Sequence, residues 1–328
     1  MQAAFARRDV IAVGIYRKGY GTAATQRNVR VWGRQSPEGA ESMRIAVTGA
    51  TGYIGSHLVS AFCRKHEVYA IVRTTSETAG IQAYVKEFIV YDSEQVYGRL
   101  AAIQPEVLIH LAGVFYGEHT ADNIENLLNA NLVFSTVVFD AAVSAGCKKI
   151  INTGTYWQQF AKEDYNPVNL YAATKQAAED ILMYYVKARR CSAVTLQIFD
   201  SYGPDDNRKK ILNIIRDLED GARIDMSGGR QKMYYCHIED LVSGYARALE
   251  LLAEMAPGTA VRYALREEEP VMLRTLIEEF LRIQGKRLEI NWGGRAYRDR
   301  EIMEPAGIGT VLPGWTPRYS WQQGVETL

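Results

Sequence analysis

The strongest constraint on the fold is a glycine-rich turn between an apolar strand and a helix. The segment MRIAVTGATGYIGSHLV predicts a strand over Arg44–Thr48, a turn with Gly49, Gly52 and Gly55, and a helix over 56–65. Glycines at this spacing let the backbone turn tightly and approach a pyrophosphate, while N–H groups at the helix start face the anion. A turn that holds no ligand is the alternative. The strand–turn–helix context favours dinucleotide binding.

Beyond this turn, short apolar strands alternate with helices, the pattern of a parallel sheet covered on both faces. We predict an α/β fold, a Rossmann-type doubly wound parallel sheet with a smaller, interleaved C-terminal substrate-binding lobe. The expected strands are 68–72, 88–91, 107–111, 149–153 and 193–199, with helices at 94–103, 122–145 and Leu170–Arg189. The pattern loosens after Gly203-Pro204, where we expect helices 239–254 and 271–283 and strand 288–292.

These patterns suggest a division of the chain. Residues 1–42 carry many arginines and few acids, and they show no sustained helical period. We expect a disordered extension or a true start at Met43, with a transit peptide as the alternative. Residues 43–204 with about 233–256 are predicted to form the NADP-binding domain. The substrate-binding lobe is then expected at about 205–232 and 257–328.

Charge and cysteine placement narrow the class of protein. The chain has 38 basic and 38 acidic residues, so we expect neither a nucleic-acid-binding protein nor a polybasic membrane-binding protein. No run of about 18 apolar residues is present, which predicts no membrane-spanning helix. The four cysteines lie far apart, as is typical of buried thiols in a reducing cytoplasm rather than of a disulfide framework or a metal site.

The end of the second predicted strand bears on which dinucleotide binds. A site that prefers NAD places a carboxylate there for the ribose 2′-hydroxyl, but this chain has Arg73 followed by Thr74, Thr75 and Ser76. A guanidinium matches a 2′-phosphate, so we predict NADP(H). NAD(H), with Arg73 a solvated surface charge, is the alternative.

Tyr171 and Lys175 form a YxxxK pair at the start of a predicted long helix. Side chains four residues apart share a helix face, and an ammonium near a phenol stabilises tyrosinate. We therefore expect the pKa of Tyr171 to fall toward the working pH, as suits a general acid or base for a carbonyl or alcohol. Thr155, just beyond the predicted strand 149–153, is placed to supply a hydroxyl to the same oxygen. A packed aromatic is the alternative for Tyr171.

From Met43 onward the chain resembles the extended short-chain dehydrogenase/reductase family, also described as NAD-dependent epimerases and dehydratases. The motifs occur in the family's order. They are TGATGYIG, Asp92, Leu111-Ala112-Gly113, Asn131, Thr155, Tyr171 with Lys175, Phe199-Asp200-Ser201-Tyr202-Gly203-Pro204, His237-Ile238-Glu239-Asp240 and Gly314-Trp315-Thr316-Pro317.

The resemblance implies roles for these positions. Catalysis falls to Thr155, Tyr171 and Lys175. Cofactor contacts are implied for Gly49, Thr51, Gly52, Tyr53, Ile54, Gly55, Arg73, Asp92, Leu111, Ala112, Gly113, Asn131, Tyr171, Lys175 and Phe199. Asp200, Arg208, Lys209 and Arg298 are candidates for the nucleotide-sugar substrate, and no residue is assigned to a metal. Relatives dimerise through two long helices, which here implies a homodimer through 122–145 and Leu170–Arg189.

Departures from the family pattern narrow the range of possible reactions. Dehydratases carry Asp-Glu after the catalytic Thr, whereas Tyr156-Trp157 follow here, which argues against dehydration of the sugar. A separate departure concerns substrate binding, since Met233 stands where the family has an arginine for the phosphates. The catalytic segment is most similar to CDP-abequose and CDP-paratose synthases, which implies NADPH-dependent reduction of a 4-keto deoxysugar for surface polysaccharide, in the cytoplasm. The alternatives are a nucleotide-sugar 4-epimerase that retains NAD, and a non-catalytic dinucleotide-binding sensor or scaffold.

Overall fold

A computed structural model describes residues Ser42–Leu328, and the extension predicted over 1–42 lies, except for Ser42, outside the described residues. The strands are β1 Arg44–Thr48, β2 Glu67–Val72, β3 Glu87–Val90, β4 Val107–His110, β5 Lys149–Thr155, β6 Ser192–Ile198, β7 Asp200–Tyr202, β8 Arg223–Met226, β9 Lys232–Met233, β10 Tyr235–His237, β11 Ala260–Leu265, β12 Val271–Met272 and β13 Glu289–Trp292. The helices are α1 Tyr53–Phe62, α2 Gln95–Ile103, α3 Ala121–Leu128, α4 Phe134–Ser144, α5 Leu170–Arg189, α6 Ile211–Asp217, α7 Ile238–Glu254, α8 Leu273–Gln284 and α9 Trp321–Val325.

The large sheet has seven strands in the order β11-β6-β5-β4-β1-β2-β3, and every neighbouring pair is parallel. Its interior strands are almost fully buried because helices cover both faces. The strand order reverses between β1 and β4, where Thr48 pairs with His110. In doubly wound sheets this reversal opens a crevice at the carboxyl ends of the strands, where ligands bind. The predicted fold class is confirmed.

A second, smaller apolar core lies outside the large sheet. It joins α6 and α8 to the short strand pairs, and Leu276, Ile277 and Phe280 of α8 are fully buried in it. The pairs are β7 with β10, β9 with β12 and β8 with β13. One sequence boundary is wrong: β11 was expected in the substrate lobe, but all six of its residues pair with β6 in the large sheet.

Several element bounds differ from the sequence expectation for physical reasons. Helix α1 begins at Tyr53, three residues early, because the Gly52 carbonyl already accepts the first helical bond from the Ser56 N–H at 2.8 Å. Strand β5 extends to Thr155, since its pairing with β6 continues to Ile198. The helix expected over 122–145 is interrupted by a π-helical turn at Asn129–Val133. Such turns insert a residue into the helix and often accompany functional sites.

The stretch Ala121–Ser144 is, among the described residues, a helix long and apolar enough to cross a membrane by length and composition. Polar residues interrupt the apolar ones along this stretch, so its sequence contains no unbroken apolar run. Val138 and Phe139 are fully buried in the large core beside Tyr185 of α5. One side of the stretch is therefore packed inside the protein, and 44% of its apolar window is buried in all.

Candidate active site

The glycine turn after β1 has the shape of a phosphate cradle. Gly49 has φ +69°, and a Cβ there would lie 2.8 Å from the backbone nitrogen of Ala112. A Cβ at Gly55 would overlap the carbonyl oxygen of Gly49. The turn therefore packs directly on the Leu111-Ala112 backbone, and α1 begins with no acidic residue in its first turn. A bare backbone surface at a helix start fits the diphosphate of a dinucleotide.

A buried histidine that sequence analysis passed over holds the two sides of this crevice together. Thr48 Oγ1 lies 2.9 Å from His110 Nδ1 and accepts a bond from the Ala112 N–H. His110 Nε2 lies 2.9 Å from Ser135 Oγ, which donates to the carbonyl of Asn131. These directions make Nε2 the protonated nitrogen. Burial lowers the pKa of His110 well below its usual value, so the ring stays neutral.

Asn131 fixes the loop that follows β4. Its Oδ1 accepts from the Val114 N–H at 2.7 Å, and its Nδ2 donates to the Val114 carbonyl and to Thr174 Oγ1 of α5. The π-helical turn carries Asn131 into this position. The loop of Gly113 and the helix of Lys175 are thereby joined through one buried amide.

The three predicted catalytic residues come from two neighbouring elements. Thr155 is the last residue of β5, and its Oγ1 accepts from the Trp157 N–H at 3.3 Å, which leaves its own proton for another acceptor. Tyr171 lies in the first turn of α5, behind the cap Asn169. Lys175 is 5% exposed, and its Nζ would lie 3.6 Å from a Cβ at Gly113. The ammonium thus lies beside the loop after β4.

The protonation of Tyr171 differs from the sequence expectation. Burial raises the pKa of its phenol to about 12 instead of lowering it. The expected stabilisation of tyrosinate by Lys175 is not seen, because desolvation of the phenol dominates. Burial also lowers the pKa of Lys175 to about 8, with a partial offset from the carboxylate of Glu179. At neutral pH the phenol carries its proton.

A cleft of about 370 Å³, lined by aromatic and by both basic and acidic side chains, opens beside these residues. Phe115 is 52% exposed and packs edge-on against Tyr171, with ring centroids 5.0 Å apart. Trp157 lies 5.5 Å from Phe115, and the guanidinium of Arg298 lies over the Trp157 ring. Lys210, which sequence analysis did not select, pairs with Asp200 at 3.2 Å and faces Phe115. Sequence analysis could have selected Lys210 because it directly follows the predicted substrate residue Lys209.

The predicted substrate residues separate into two groups. Asp200, Lys209 and Arg298 line the cleft. Arg208 does not line it; its guanidinium forms two bonds to Asp206, two to Ser201, and a cation–π contact with the Tyr53 ring at 4.2 Å. Arg208 thus ties the start of α1 to the loop after β7. Its role toward substrate stays a prediction.

The remaining predicted cofactor residues lie around the crevice. Arg73 is exposed directly after β2, and its N–H donates to Ser76 Oγ. Asp92 Oδ1 accepts from the N–H groups of Glu94 and Gln95 at the start of α2. Phe199 follows β6 and stacks on Tyr156 with centroids 4.6 Å apart. Thr51 lies in the glycine turn itself, and Ile54 follows Tyr53 in the first turn of α1. The ligand contacts of these residues stay predictions.

The motifs at 237–240 and 314–317 contact each other and do not line the cleft. Trp315 Nε1 donates to the Asp240 carbonyl, and the Asp240 carboxylate accepts from the N–H groups of Arg318 and Tyr319. These contacts attach the C-terminal segment to α7. Between Ser42 and Leu328, no group of three or more His, Cys, Asp or Glu side chains is arranged to hold a metal ion.

Comparisons with known proteins agree with this geometry. Residues 45–263 match the model of the NAD dependent epimerase/dehydratase family. The CDP-abequose synthase of Yersinia pseudotuberculosis is 28% identical over 80% of this chain and 92% of that protein. The Salmonella typhimurium protein of that name is 25% identical over 87% of this chain and 96% of its own length.

Solved structures agree on the fold. The UDP-glucuronic acid 4-epimerase from Bacillus cereus, in complex with UDP-glucuronic acid and NAD, aligns with a TM-score of 0.72 at 22% identity, covering 87% of this chain and 97% of that one. The large parallel sheet is therefore a Rossmann fold of the kind seen in that epimerase. The protein is an enzyme of the NAD(P)-dependent oxidoreductase type, and it belongs to the NAD dependent epimerase/dehydratase family.

Proposed function

We propose that this enzyme reduces the 4-keto group of a nucleotide-linked deoxysugar, with NADPH as the hydride donor. The observation that carries the proposal is the meeting of three parts at one edge of the sheet. They are the glycine cradle after β1, the pair Tyr171 and Lys175 on α5, and Thr155 at the end of β5. Parallel strands bring their carboxyl ends to the same edge, so the parts adjoin one crevice.

The chain's own residues supply the proton chemistry. A bound NADPH supplies hydride to the carbonyl carbon. Tyr171 donates its phenolic proton to the oxygen that becomes an alkoxide, and a pKa of about 12 keeps that proton available at neutral pH. Thr155 donates a hydrogen bond to the same oxygen. Lys175, beside the Gly113 loop, is placed to hold the cofactor's ribose and to lend positive charge to the site.

The aromatic walls of the cleft favour a deoxysugar as the substrate. Phe115 and Trp157 present aromatic surface next to Tyr171, and a hydroxyl buried against such rings loses its hydrogen bonds to water without replacement. A sugar that lacks hydroxyls on that face meets no such cost. Lys209 at the same cleft suits a diphosphate, and Lys210 and Arg298 would do so by exchanging their carboxylate partners Asp200 and Glu301 for it.

A nucleotide-sugar 4-epimerase is the second candidate, because a relative by fold is a 4-epimerase with NAD. Arg73 in place of a carboxylate after β2 favours reduction, because it suits NADP(H) rather than an NAD that stays bound. The deciding experiment offers CDP-, dTDP-, GDP- and UDP-linked 4-keto sugars with NADPH or NADH and follows absorbance of the reduced nicotinamide. Consumption of one NADPH per sugar supports the reductase. Interconversion of epimers without consumption contradicts it.

The variant Tyr171→Phe separates an enzyme from a sensor or scaffold on this fold. We expect NADPH to bind as in the wild type while reduction slows by about 100- to 10,000-fold, the usual range for loss of a general acid. Unchanged turnover would remove Tyr171 from the mechanism. Turnover by neither protein on any sugar nucleotide would favour the sensor.

We also propose a cytoplasmic homodimer that serves surface polysaccharide synthesis. The long helices carry exposed apolar side chains, Leu128 before the π-helical turn, Val133 within it and Tyr184 on α5. Pairing these helices between two copies would cover that surface. Light scattering of the wild type and of Val133→Asp tests it; we expect a dimer that the aspartate weakens, and a monomeric wild type would refute it.

A further inference from the structure

A buried glutamine connects the strand end of Thr155 to the helix of Tyr171. Gln158 is 0% exposed, three residues after Thr155. Its Oε1 accepts from the Thr155 N–H at 2.8 Å. Its Nε2 donates to Gln176 Oε1 and to Glu179 Oε2, both at 2.9 Å. The carbonyl half of one amide thus holds β5, and the NH₂ half holds α5.

The helix end of this connection is itself fixed. Glu179 lies one turn beyond Lys175, and its second oxygen accepts from Arg262 Nε at 2.9 Å. Arg262 belongs to β11, the edge strand of the large sheet, and lies 3.5 Å from Asp164. A continuous polar chain therefore runs from β11 through Glu179 and Gln158 to the backbone of Thr155.

The backbone leaves room for this arrangement at one residue. A Cβ at Gly154 would lie 2.8 Å from Gln158 Oε1 and 3.0 Å from Thr195 Cγ2. A larger residue before Thr155 would push the amide away from the strand. The absence of a side chain at Gly154 is therefore matched to the buried amide of Gln158.

We propose that Gln158 is a positioning residue that sets the Thr155 hydroxyl against the Tyr171 hydroxyl. Two donors to one oxygen must hold their places within about 0.5 Å, and these two stand on different elements. The amide meets this need because it accepts from the strand and donates to the helix in one rigid plane. The inference rests on the proposed function, since it assumes that Thr155 and Tyr171 serve the same oxygen.

The test exchanges the amide at position 158 and the carboxylate at position 179. In Gln158→Glu, a carboxylate faces the Glu179 carboxylate, and we expect kcat to fall about 100-fold, with KM changed much less. In Glu179→Gln, the new NH₂ group must face another donor, either Gln158 Nε2 or Arg262. We expect kcat to fall about tenfold. The double variant again pairs one amide with one carboxylate, so kcat should recover to within about threefold of wild type.

The matched control is Gln323→Glu. Gln323 Oε1 accepts from the Ser320 N–H three residues earlier, as Gln158 Oε1 does from Thr155, but this pair caps α9 and has no bond to the polar chain. This variant should keep the wild-type kcat. Wild-type kcat in Gln158→Glu, or a double variant no faster than that single one, would overturn the proposal.

An activity-independent measurement separates failure of the inference from failure of the proposed function. If the wild type turns over no sugar nucleotide, the proposed function fails, and amide hydrogen exchange then decides the inference. Exchange at the Thr155 N–H should accelerate in Glu179→Gln and return toward the wild-type rate in the double variant. An unchanged rate in Glu179→Gln would refute the connection.

Discussion

The crevice between β1 and β4 and the cleft beside α6 are built in different ways. The crevice is made of backbone and short buried side chains: the glycine turn packs on the loop after β4, and Thr48, His110 and Asn131 lock the two together. The cleft is made of long aromatic and charged side chains, with Phe115, Trp157 and Lys210 among them.

This difference has a physical consequence. A main-chain surface with satisfied buried polar groups has little freedom to move, so a substitution there costs both stability and ligand affinity. Side chains that line an open cleft carry less of the folding free energy. We therefore expect cleft variants to change substrate preference while the protein stays folded.

Gly55→Ala should have the largest effect, because a Cβ there overlaps the Gly49 carbonyl. Overpacking of this kind costs about 1–3 kcal/mol, so we expect NADPH affinity to fall by up to about 100-fold. The free energy of unfolding, measured with urea, should fall by a matching amount. Isothermal titration and denaturation measure both quantities. The control is Gly98→Ala in α2, where a Cβ meets nothing within 4 Å and should stabilise an exposed helix. Equal affinity in the two variants would contradict the cradle.

Arg73→Ser tests the cofactor preference at the edge of the crevice. A charge-assisted contact to a 2′-phosphate contributes about 1.5–3 kcal/mol, so the NADPH-to-NADH ratio of kcat/KM should fall by about ten- to a hundredfold. Arg64→Ser is the control, because Arg64 is also exposed but precedes β2 at the opposite edge of the sheet. An unchanged ratio in Arg73→Ser would favour NAD(H).

The pH dependence should follow Lys175. Burial lowers the pKa of its ammonium to about 8, so the positive charge is present below that pH and is lost as pH rises through it. Because Tyr171 keeps its proton up to about pH 12, the alkaline fall in kcat should centre near pH 8, about tenfold at pH 9. Glu179→Gln should move this fall to lower pH, since the Glu179 carboxylate raises the pKa of Lys175. A fall in kcat that begins only near pH 10 would mean that a group other than Lys175 controls the pH dependence.

Trp157→Ala addresses the cleft alone and should have the smallest effect. Removing one aromatic wall should raise KM for the 4-keto sugar by about fivefold, a usual loss for one ring contact, while NADPH affinity stays at the wild-type value. Rates for sugars that keep their hydroxyls should fall less than rates for deoxysugars. A parallel loss of NADPH affinity would mean that crevice and cleft are not separable.

The sequence predicted best where function depends on local spacing. The glycine turn, strand β1 and helix α5 follow from short-range patterns, and the observed bounds of β1 and α5 equal the expected ones. Bounds shifted where a tertiary partner decided them, as when pairing with β6 extended β5 to Thr155 and pairing of β11 moved it into the large sheet.

Burial decided what spacing left open. YxxxK spacing suggested a lowered pKa for Tyr171, but desolvation raised it, because the cost of charging a phenol depends on surroundings that come from other elements. His110 and Gln158 carry no motif. Their roles arise from partners 62 and 21 residues away in sequence, Thr48 and Glu179.

The order of residues alone determined that a parallel sheet forms, where the glycine turn lies and where the pair on α5 lies, since each depends on periodicity or on a missing side chain within one segment. Only the folded chain decided the protonation of Tyr171, the pairing of Arg208 with Asp206 and Ser201, and the amide that links Thr155 to α5. Burial and hydrogen-bond direction are properties of three-dimensional neighbours, which short-range sequence patterns do not specify.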